Sequence, residues 1–574
     1  MEILAVAFVC FLLVISAYLL TLRRASFRAP LPPQPVKPPY LIPGISHLAA
    51  IVFNTESFLR SLQRQFQGKI ITLSSILPMY YVLPGENIQA IFRKSDDNLL
   101  PAPSLLDSLQ IFFGLPDEDA AVFDHIGISH FEQTRSDTRY HTHHSDPSRR
   151  IMEHQRKDFA KYLSGHNLRQ TMHQYADIFR QSVWPRDTNR HESIHIPDLY
   201  NFLRDTIFRA EVEALYGNQM FEACPSLCAD FWAFYDAFPV ISRQSPQLLF
   251  RSHYATRDRM IRNFINWRGA QGSPASSFPS TTEDTSYGTP YVRDMVRRHE
   301  ALGFSEAGIA SVMLGYLFVG TANTVPAAIW MVLHILRDAS LTSRIRSELG
   351  ILPGKQPQLD VGLLIKAPLL NSVYREVLRL HVAGTVGRKS SLHGVQLRDG
   401  RVLLPEVPVM SSSWLGGLDE SFWNTGATVE GVPEHPVDAF WAERFLAYED
   451  DPMSGPIRRH DHEPAKEKTA PKTADDDAKA RLVSAGIQNH WFPFGGGAGK
   501  CPGELLAKST ILVTAFLVLS ELEVEIVDNE QAAFTVPKHR ALPFGSHAFG
   551  REIAVRVHRR LSAPLCDEWV AAAV

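Results

Sequence analysis

Cysteine is scarce in this chain. Five residues in 574 (Cys10, Cys224, Cys228, Cys501 and Cys566) are too few and too scattered for a disulfide framework. No Cys-x-x-Cys or Cys-x-x-x-His pair suggests zinc. Cys224 and Cys228 stand four apart, but no second ligand pair completes a site. So few thiols fit a reducing compartment. An excess of one charge is also missing. Lys and Arg number 58 against 61 Asp and Glu, giving a net charge of -3 and a pI near 6.8. A nucleic-acid-binding domain would be basic, so that class is not indicated. Internal repeats are absent too. What is present is a globular balance, 45% apolar and 21% charged, which excludes a disordered or collagen-like chain. At ~150 residues per domain the length suggests about four domains.

Charge disappears altogether between Ile3 and Leu22, an uncharged and largely apolar run of 20 residues. Helical rise makes that about 30 Å, one bilayer core, so residues 1–22 are expected to be a transmembrane anchor. Arg23, Arg24 and Arg28 follow at once, and no acid occurs between Glu2 and Glu56. The positive-inside rule then puts the bulk of the chain in the cytosol. A cleaved signal peptide competes, but the run is long for one and no basic segment precedes it. Residues 23–46 hold seven prolines, from Pro30 to Pro43, and predict an extended spacer. Residues 47–574 are the globular remainder.

Within that remainder Ser57–Gln67 predicts an amphipathic helix. Lys69–Leu83 predicts a hairpin turning near Pro78. Glu153–Arg180, Ser193–Leu215 and the aromatic Phe231–Ala237 are helical by period. Seven histidines between His125 and His166 lie in a polar stretch without partner ligands, and read as a solvated loop rather than a metal site. Two polar insertions, about 270–290 and 449–480, are too poor in large apolar residues to bury a core.

Gly308–Leu336 is the most apolar stretch after the anchor. A second membrane span competes with a buried helix. Thr321, Asn323 and Thr324 mid-run, and charges close to both ends, favour the buried helix. Pro326 lacks an N–H, leaves the Ala322 carbonyl without its usual partner and is expected to kink the helix. Gly320, the Thr321 and Thr324 hydroxyls and the Asn323 amide would then line a groove. The other reading is a kink that only helps packing.

The sharpest signal is Trp491–Glu504, WFPFGGGAGKCPGE, followed by a helical pattern. Cys501 sits just outside a helix amino terminus, with Pro502 near the first helical position, where N–H groups and the dipole favour a thiolate. The glycines let the backbone approach whatever the sulfur holds. A phosphate loop would need Ser or Thr after GGGAGK, where Cys501 stands. A nucleophilic cysteine needs a base, and only His490 is near in sequence. A structural cysteine needs no such glycines. A thiolate axial ligand to haem fits best.

This segment resembles the haem-binding loop of the cytochrome P450 superfamily, with Phe494, Gly497, Cys501 and Gly503 in register. Glu376 and Arg379 in NSVYREVLRL resemble its Glu-x-x-Arg helix. FWAERF, Phe440–Phe445, resembles its Phe-x-Pro-Glu-Arg-Phe segment, with Ala442 in place of Pro. The resemblance implies a mainly α fold with small β-sheets, haem b on Cys501, and a buried network of Glu376, Arg379 and Arg444. It further implies an NADPH-cytochrome reductase partner and a single-pass place in the endoplasmic reticulum membrane, with catalytic domain 47–574 in the cytosol. Two positions depart. Gly499 replaces the family's Arg or His that contacts a haem propionate, so Arg388 is the expected propionate partner. The usual acid–alcohol pair reads Ala322-Asn323, which leaves proton delivery open. Both departures are similar to the sterol 7-alpha- and 12-alpha-hydroxylase and prostacyclin synthase branch.

The expected protein is thus a membrane-anchored monooxygenase of an apolar sterol, terpenoid or other lipophilic secondary metabolite. Gly320, Asn323 and Thr324 would line its oxygen site. The substrate would lie between the kinked helix and Phe231–Phe238, and Lys500 and Lys508 would offer charge to the reductase. Competing expectations are a haem-thiolate isomerase or dehydratase acting on a peroxide, and a non-catalytic haem- or lipid-binding membrane protein.

Overall fold

The computed structural model describes residues 34–40, 46–74, 78–94, 99–101, 105–123, 151–184, 193–270, 288–352, 355, 357–390, 394–397, 399–405, 407–459, 470–533 and 545–560. The expected anchor, most of the proline-rich stretch, the histidine-rich segment up to residue 150 and nearly all of the 270–290 insertion lie outside these residues.

Helix α1 (Thr55–Phe66) leads into strands β1 (Ile70–Ser74) and β2 (Pro78–Val82), which pair antiparallel from Ile70↔Val82 to Ser74↔Pro78. The predicted hairpin is there, with Pro78 starting its second strand. After β3 (Leu99–Pro101) and α2 (Leu105–Phe113) come α3 (Ile151–Tyr162) and α4 (Gly165–Val183). One helix was expected over 153–180. The chain breaks it at Gly165, whose φ of 55° is a left-handed turn that glycine tolerates. The predicted helix from Ser193 also starts later. Strand β4 (Ile194–Ile196) comes first, then Asp198 caps α5 (Leu199–Tyr216) by accepting from the Tyr200 and Asn201 N–H groups.

Helices α6 (Leu227–Ser242), α7 (Arg251–Ala270) and α8 (Pro290–Ala301) precede the central pair, α9 (Glu306–Thr321) and α10 (Thr324–Leu336). Together these last two have the length and hydropathy of a span, yet 78% of the most apolar window is buried in the protein. They form the buried core element expected, with one correction. The break falls at Ala322-Asn323, and Pro326 sits in the first turn of α10. An N–H there would have had no acceptor within its own helix, so Pro326 fits without cost.

Next come α11 (Pro368–His381), β5 (Val382–Ala383), β6 (Thr385–Ser390), β7 (Pro408–Ser412), α12 (Ala474–Lys479), α13 (Glu504–Glu521), β8 (Leu522–Ile526), β9 (Gly545–Ser546) and β10 (Val555–Arg559). The main sheet runs β1-β2-β7-β6-β3. A smaller one runs β8-β10-β4, and β9 pairs with β5. The fold is mainly helical, with small sheets at its margin.

Two polar segments pack more than their composition predicts. Residues 34–40 do not form a free spacer, because the Thr72 N–H donates to the Val36 carbonyl at 2.8 Å and Val36 bridges Ile71. The 449–480 insertion is anchored by Asp477, 2% exposed, which accepts from Arg344 at 2.7 Å and from the Tyr448 hydroxyl at 3.0 Å. A charge can be buried where a cation and a hydroxyl meet it, which apolar counting does not register.

Candidate active site

Cys501 lies just before α13, whose cap is Gly503, so Pro502 falls outside the helix rather than at its first position. The Cys501 N–H donates to the Phe494 carbonyl at 2.9 Å, which closes the loop on itself. Gly497 turns it with φ 63°. At Gly496 a Cβ would meet the Phe92 ring at 2.3 Å, so only glycine fits between loop and core. The sulfur opens into a cavity of about 540 Å³. Phe494 and Gly503 also line it. The expected helix-end preference for thiolate is outweighed in the protein alone. Burial raises the Cys501 thiol above its ordinary value, with the Gly503 N–H working against it. Among the described cysteines, Cys501 alone lines this cavity. His490 does not line it; it pairs with Asp419 at 3.3 Å and stacks on Phe422.

Arg388 enters the cavity wall from β6, 4% exposed. Its Nη1 and Nη2 donate to the Gly387 and Gly496 carbonyls at 2.9 and 3.1 Å, while Nε has no partner. No carboxylate faces it among the described residues, and burial lowers its pKa. A buried guanidinium with a free N–H is matched to an anion that enters with a ligand. Gly499 completes the arrangement. A Cβ there would stand 2.4 Å from Arg388 Nη2. The missing Arg or His before the cysteine therefore leaves no gap, because Arg388 fills its space.

Across the cavity lies the α9–α10 break. A Cβ on Gly320 would meet nothing within 4 Å, so this position faces open space. The Thr324 hydroxyl donates to the Gly320 carbonyl at 2.7 Å. Asn323 Oδ1 accepts from the Ser546 N–H at 2.9 Å and ties the break to β9, where a Cβ on Gly545 would strike it at 2.6 Å. Both groups line the cavity, but neither is a free donor with an acidic proton. Sequence reasoning missed Val319, 60% exposed on an otherwise buried helix and facing the same space. Apolar residues in a buried run all look alike until packing selects one.

Two expectations are corrected. The aromatic segment of α6 is core rather than cavity wall. Phe238 stacks on Phe318 at 4.3 Å, and Phe234 packs against Phe113 and Phe318. Phe318 packs against this aromatic segment, and the apolar wall of the cavity comes instead from Phe159, Tyr216, Tyr291 and Tyr316. The positive face is also weaker than expected. Lys500 pairs with Glu504 at 2.5 Å, and burial lowers the Lys508 pKa to about 8.

Beneath the loop, Arg379 forks onto Glu376 with two bonds of 2.7 Å, and Arg444 Nε donates to Glu376 at 3.0 Å. All three side chains are fully buried. The two arginines hold the Glu376 carboxyl below its ordinary range against the opposing effect of burial. Arg379 also donates to the Gly417 and Val437 carbonyls, and Arg444 to that of Asn424. The expected network is therefore in place, and it clamps three loops behind α11.

A family model for cytochrome P450 matches residues 128–429, just over half of the chain. The chain belongs to the cytochrome P450 family. That match ends before Cys501, so the loop geometry is an independent observation. Similar curated proteins include the cytochrome P450 monooxygenases fsoE of Humicola fuscoatra and efuG of Hormonema carpetanum. Each is 27% identical, over 92% and 88% of this chain and 89% and 86% of the other. A third, calL of Penicillium decumbens, is 24% identical over 82% of this chain and 81% of its own. Among solved structures, a retinoic acid-bound cyanobacterial CYP120A1 has a TM-score of 0.58 and 15% identity, covering 92% of this chain and all of the other. This P450 is therefore a monooxygenase whose cofactor is haem held by a cysteine thiolate.

The donor set fits that cofactor, with a sulfur open to the cavity, an unneutralised buried arginine beside it, and an apolar opposite wall. Haem on a thiolate supplies dioxygen activation. The chain's residues position it, exclude water and hold the substrate.

Proposed function

We propose that this chain is a membrane-anchored haem-thiolate monooxygenase oxidising an apolar small molecule (a sterol, a terpenoid or another lipophilic secondary metabolite). Electrons would come from an NADPH-cytochrome reductase. Cys501 is the axial ligand, Phe494, Gly497 and Gly503 shape its loop, and Arg388 pairs with a propionate. Gly320, Asn323 and Thr324 line the oxygen side. The observation that carries the reading is Cys501 open to the same cavity as the acid-free, buried Arg388. Residues 1–22 anchor the protein in the endoplasmic reticulum membrane, and catalytic domain 47–574 stays cytosolic. Asn323 before Pro326, and Gly499, support kinship with the sterol 7-alpha/12-alpha-hydroxylase and prostacyclin synthase branch. One feature favours a second reading, rearrangement of a peroxide without external electrons: the break carries no acid, and Asn323 is committed to Ser546.

The test is the absorption spectrum of the reduced, carbon monoxide-bound protein. Wild type gives the thiolate-type Soret band and Cys501→Ala loses it. A colourless wild type, or a band unchanged in the variant, refutes the assignment. NADPH-coupled turnover on a sterol and terpenoid panel separates the two chemistries. A chain lacking residues 1–22 leaves the membrane fraction.

A further inference from the structure

Dioxygen reduced at a haem without a substrate to oxidise leaves hydrogen peroxide, and a haem oxidised by peroxide must recover its electrons. The apolar wall of the cavity holds side chains able to supply them. Tyr316 of α9 and Tyr291 of α8 both line it, as Cys501 does. Their ring centroids are 6.2 Å apart and the rings meet edge to face. Tyr162, the last residue of α3, follows at 6.1 Å from Tyr291 and stands outside the cavity. Phe159 packs among them, at 5.8 Å from Tyr291 and 6.3 Å from Tyr316. Rings at these separations are in contact, so an electron crosses each gap by a short tunnelling step.

The outer end of this line differs chemically from the inner. The Tyr162 hydroxyl donates to Asp294 Oδ2 and accepts from Lys161 Nζ at 2.5 Å. The Lys161 and Asp294 side chains are 62% and 38% exposed, so this end meets water. A phenol gives up an electron far more easily when a base takes its proton in the same step, and Asp294 is that base. No carboxylate hydrogen-bonds to Tyr291 or Tyr316 among the described residues. Burial raises both above the ordinary phenol range, so both keep their protons. They can pass an electron on, whereas Tyr162 can give one up for good. Packing alone does not ask for three hydroxyls, since Phe159 shows that a plain ring fits the same cluster.

We propose that Tyr316, Tyr291 and Tyr162 form an electron wire that gives this chain a second activity, the peroxide-driven oxidation of small water-soluble reductants (phenols or ascorbate) at Tyr162. The inference rests on the haem reading of Cys501. Hydrogen peroxide takes two electrons from the haem and, with two protons from water, becomes two waters. Tyr162 returns one electron through Tyr291 and Tyr316 as its O–H bond breaks and the proton moves to Asp294. The neutral Tyr162 radical then takes one hydrogen atom from a reductant molecule, and Asp294 releases its proton to water. A second pass returns the second electron. In sum, two reductant molecules each lose one hydrogen atom and one peroxide becomes two waters.

The test uses the purified haem-loaded protein, its loading verified by the reduced, carbon monoxide-bound band. Substrate-free protein is mixed with hydrogen peroxide, frozen and examined by electron paramagnetic resonance. A parallel sample carries a nitroso spin trap, and mass spectrometry locates the adduct. Wild type forms a tyrosyl radical and carries the adduct on Tyr162. Tyr162→Phe loses that adduct, and Tyr291→Phe and Asp294→Asn lose most of it. Tyr254→Phe, whose hydroxyl bonds the Ser245 carbonyl away from this line, keeps it. Ascorbate protects the wild-type Soret band from bleaching by peroxide, and Tyr162→Phe and Tyr291→Phe lose that protection while keeping the carbon monoxide band. A loaded wild type that forms no tyrosyl radical, an adduct placed on another residue, or a Tyr162→Phe that ascorbate protects as well as wild type overturns the proposal. If Tyr291→Phe folds poorly, Tyr162→Phe at the outer end carries both readouts. A chain that takes up no haem defeats the haem reading and the wire with it, whereas a loaded chain without the radical defeats the wire alone.

Discussion

Gly499→Ala is the substitution whose effect the geometry defines best. The new methyl would stand 2.4 Å from Arg388 Nη2 and 2.9 Å from Cζ, so the guanidinium must retreat by about 1 Å to reach ordinary contact. Retreat breaks the 3.1 Å bond from Nη2 to the Gly496 carbonyl. A hydrogen bond from a charged group contributes ~1.5–3 kcal/mol, while replacing Gly by Ala at an ordinary φ offsets ~0.4–1 kcal/mol through the unfolded chain. The net loss of stability is therefore about 1–2 kcal/mol.

The larger effect falls on haemin. A displaced Arg388 no longer meets the propionate, and losing that charge-assisted contact weakens binding by about 10- to 100-fold. The assay is Soret titration of the haem-free chain with haemin, alongside urea unfolding. Arg388→Ala alone weakens haemin to a similar degree. In the Gly499→Ala/Arg388→Ala double variant the methyl has nothing to strike, so the two effects do not add. Wild-type haemin affinity in Gly499→Ala, or additive losses in the double variant, refutes the claim that Arg388 occupies the space of the missing residue.

Glu376→Gln leaves Arg379 and Arg444 buried without a counter-charge and destabilises by ~3–5 kcal/mol in urea unfolding. Arg444→Met leaves the Arg379–Glu376 fork intact and destabilises less; equal losses would mean that the network does not share one charge. Folded Glu211 keeps its proton up to about pH 8, while the unfolded chain ionises near its ordinary 4.5. Its contribution to stability is thus full below the unfolded pKa and is lost as pH rises towards 8, a fall on the order of 5 kcal/mol that Glu211→Gln should lack. Unfolding free energies of the two proteins that run parallel from pH 5 to 8 would contradict this. Gly320→Leu points into open space, so it changes stability by no more than ~1 kcal/mol yet blocks imidazole binding to the haem-loaded protein. Unchanged imidazole affinity would place Gly320 away from the reactive face.

What the sequence disclosed depends on how far apart the cooperating residues lie. Phe494 to Gly503 is one contiguous loop whose glycines and thiol are meaningful at their spacing, so its function is legible without coordinates. Arg388 and Gly499 are separated by a large part of the chain, and the sequence shows only that an arginine is absent at 499. That its space is filled from β6 is a fact of packing. The aromatic run Phe231–Phe238 misleads because composition does not say what an aromatic face meets, and here it meets Phe318. Asp477 misleads in the opposite sense, since a polar segment looks solvated until Arg344 is found beside it. Glu211 is the hardest case. On α5 it is one acid in a helix of mixed residues, and nothing local separates it from Glu213, which pairs with Arg209 four residues earlier at 2.8 Å. Only its burial, with neither carboxyl oxygen hydrogen-bonded, distinguishes it. The absence of an acid at Ala322-Asn323 is therefore readable in the linear chain, whereas the burial of Glu211 without a hydrogen-bond partner becomes visible only when α5 is seen packed in the core.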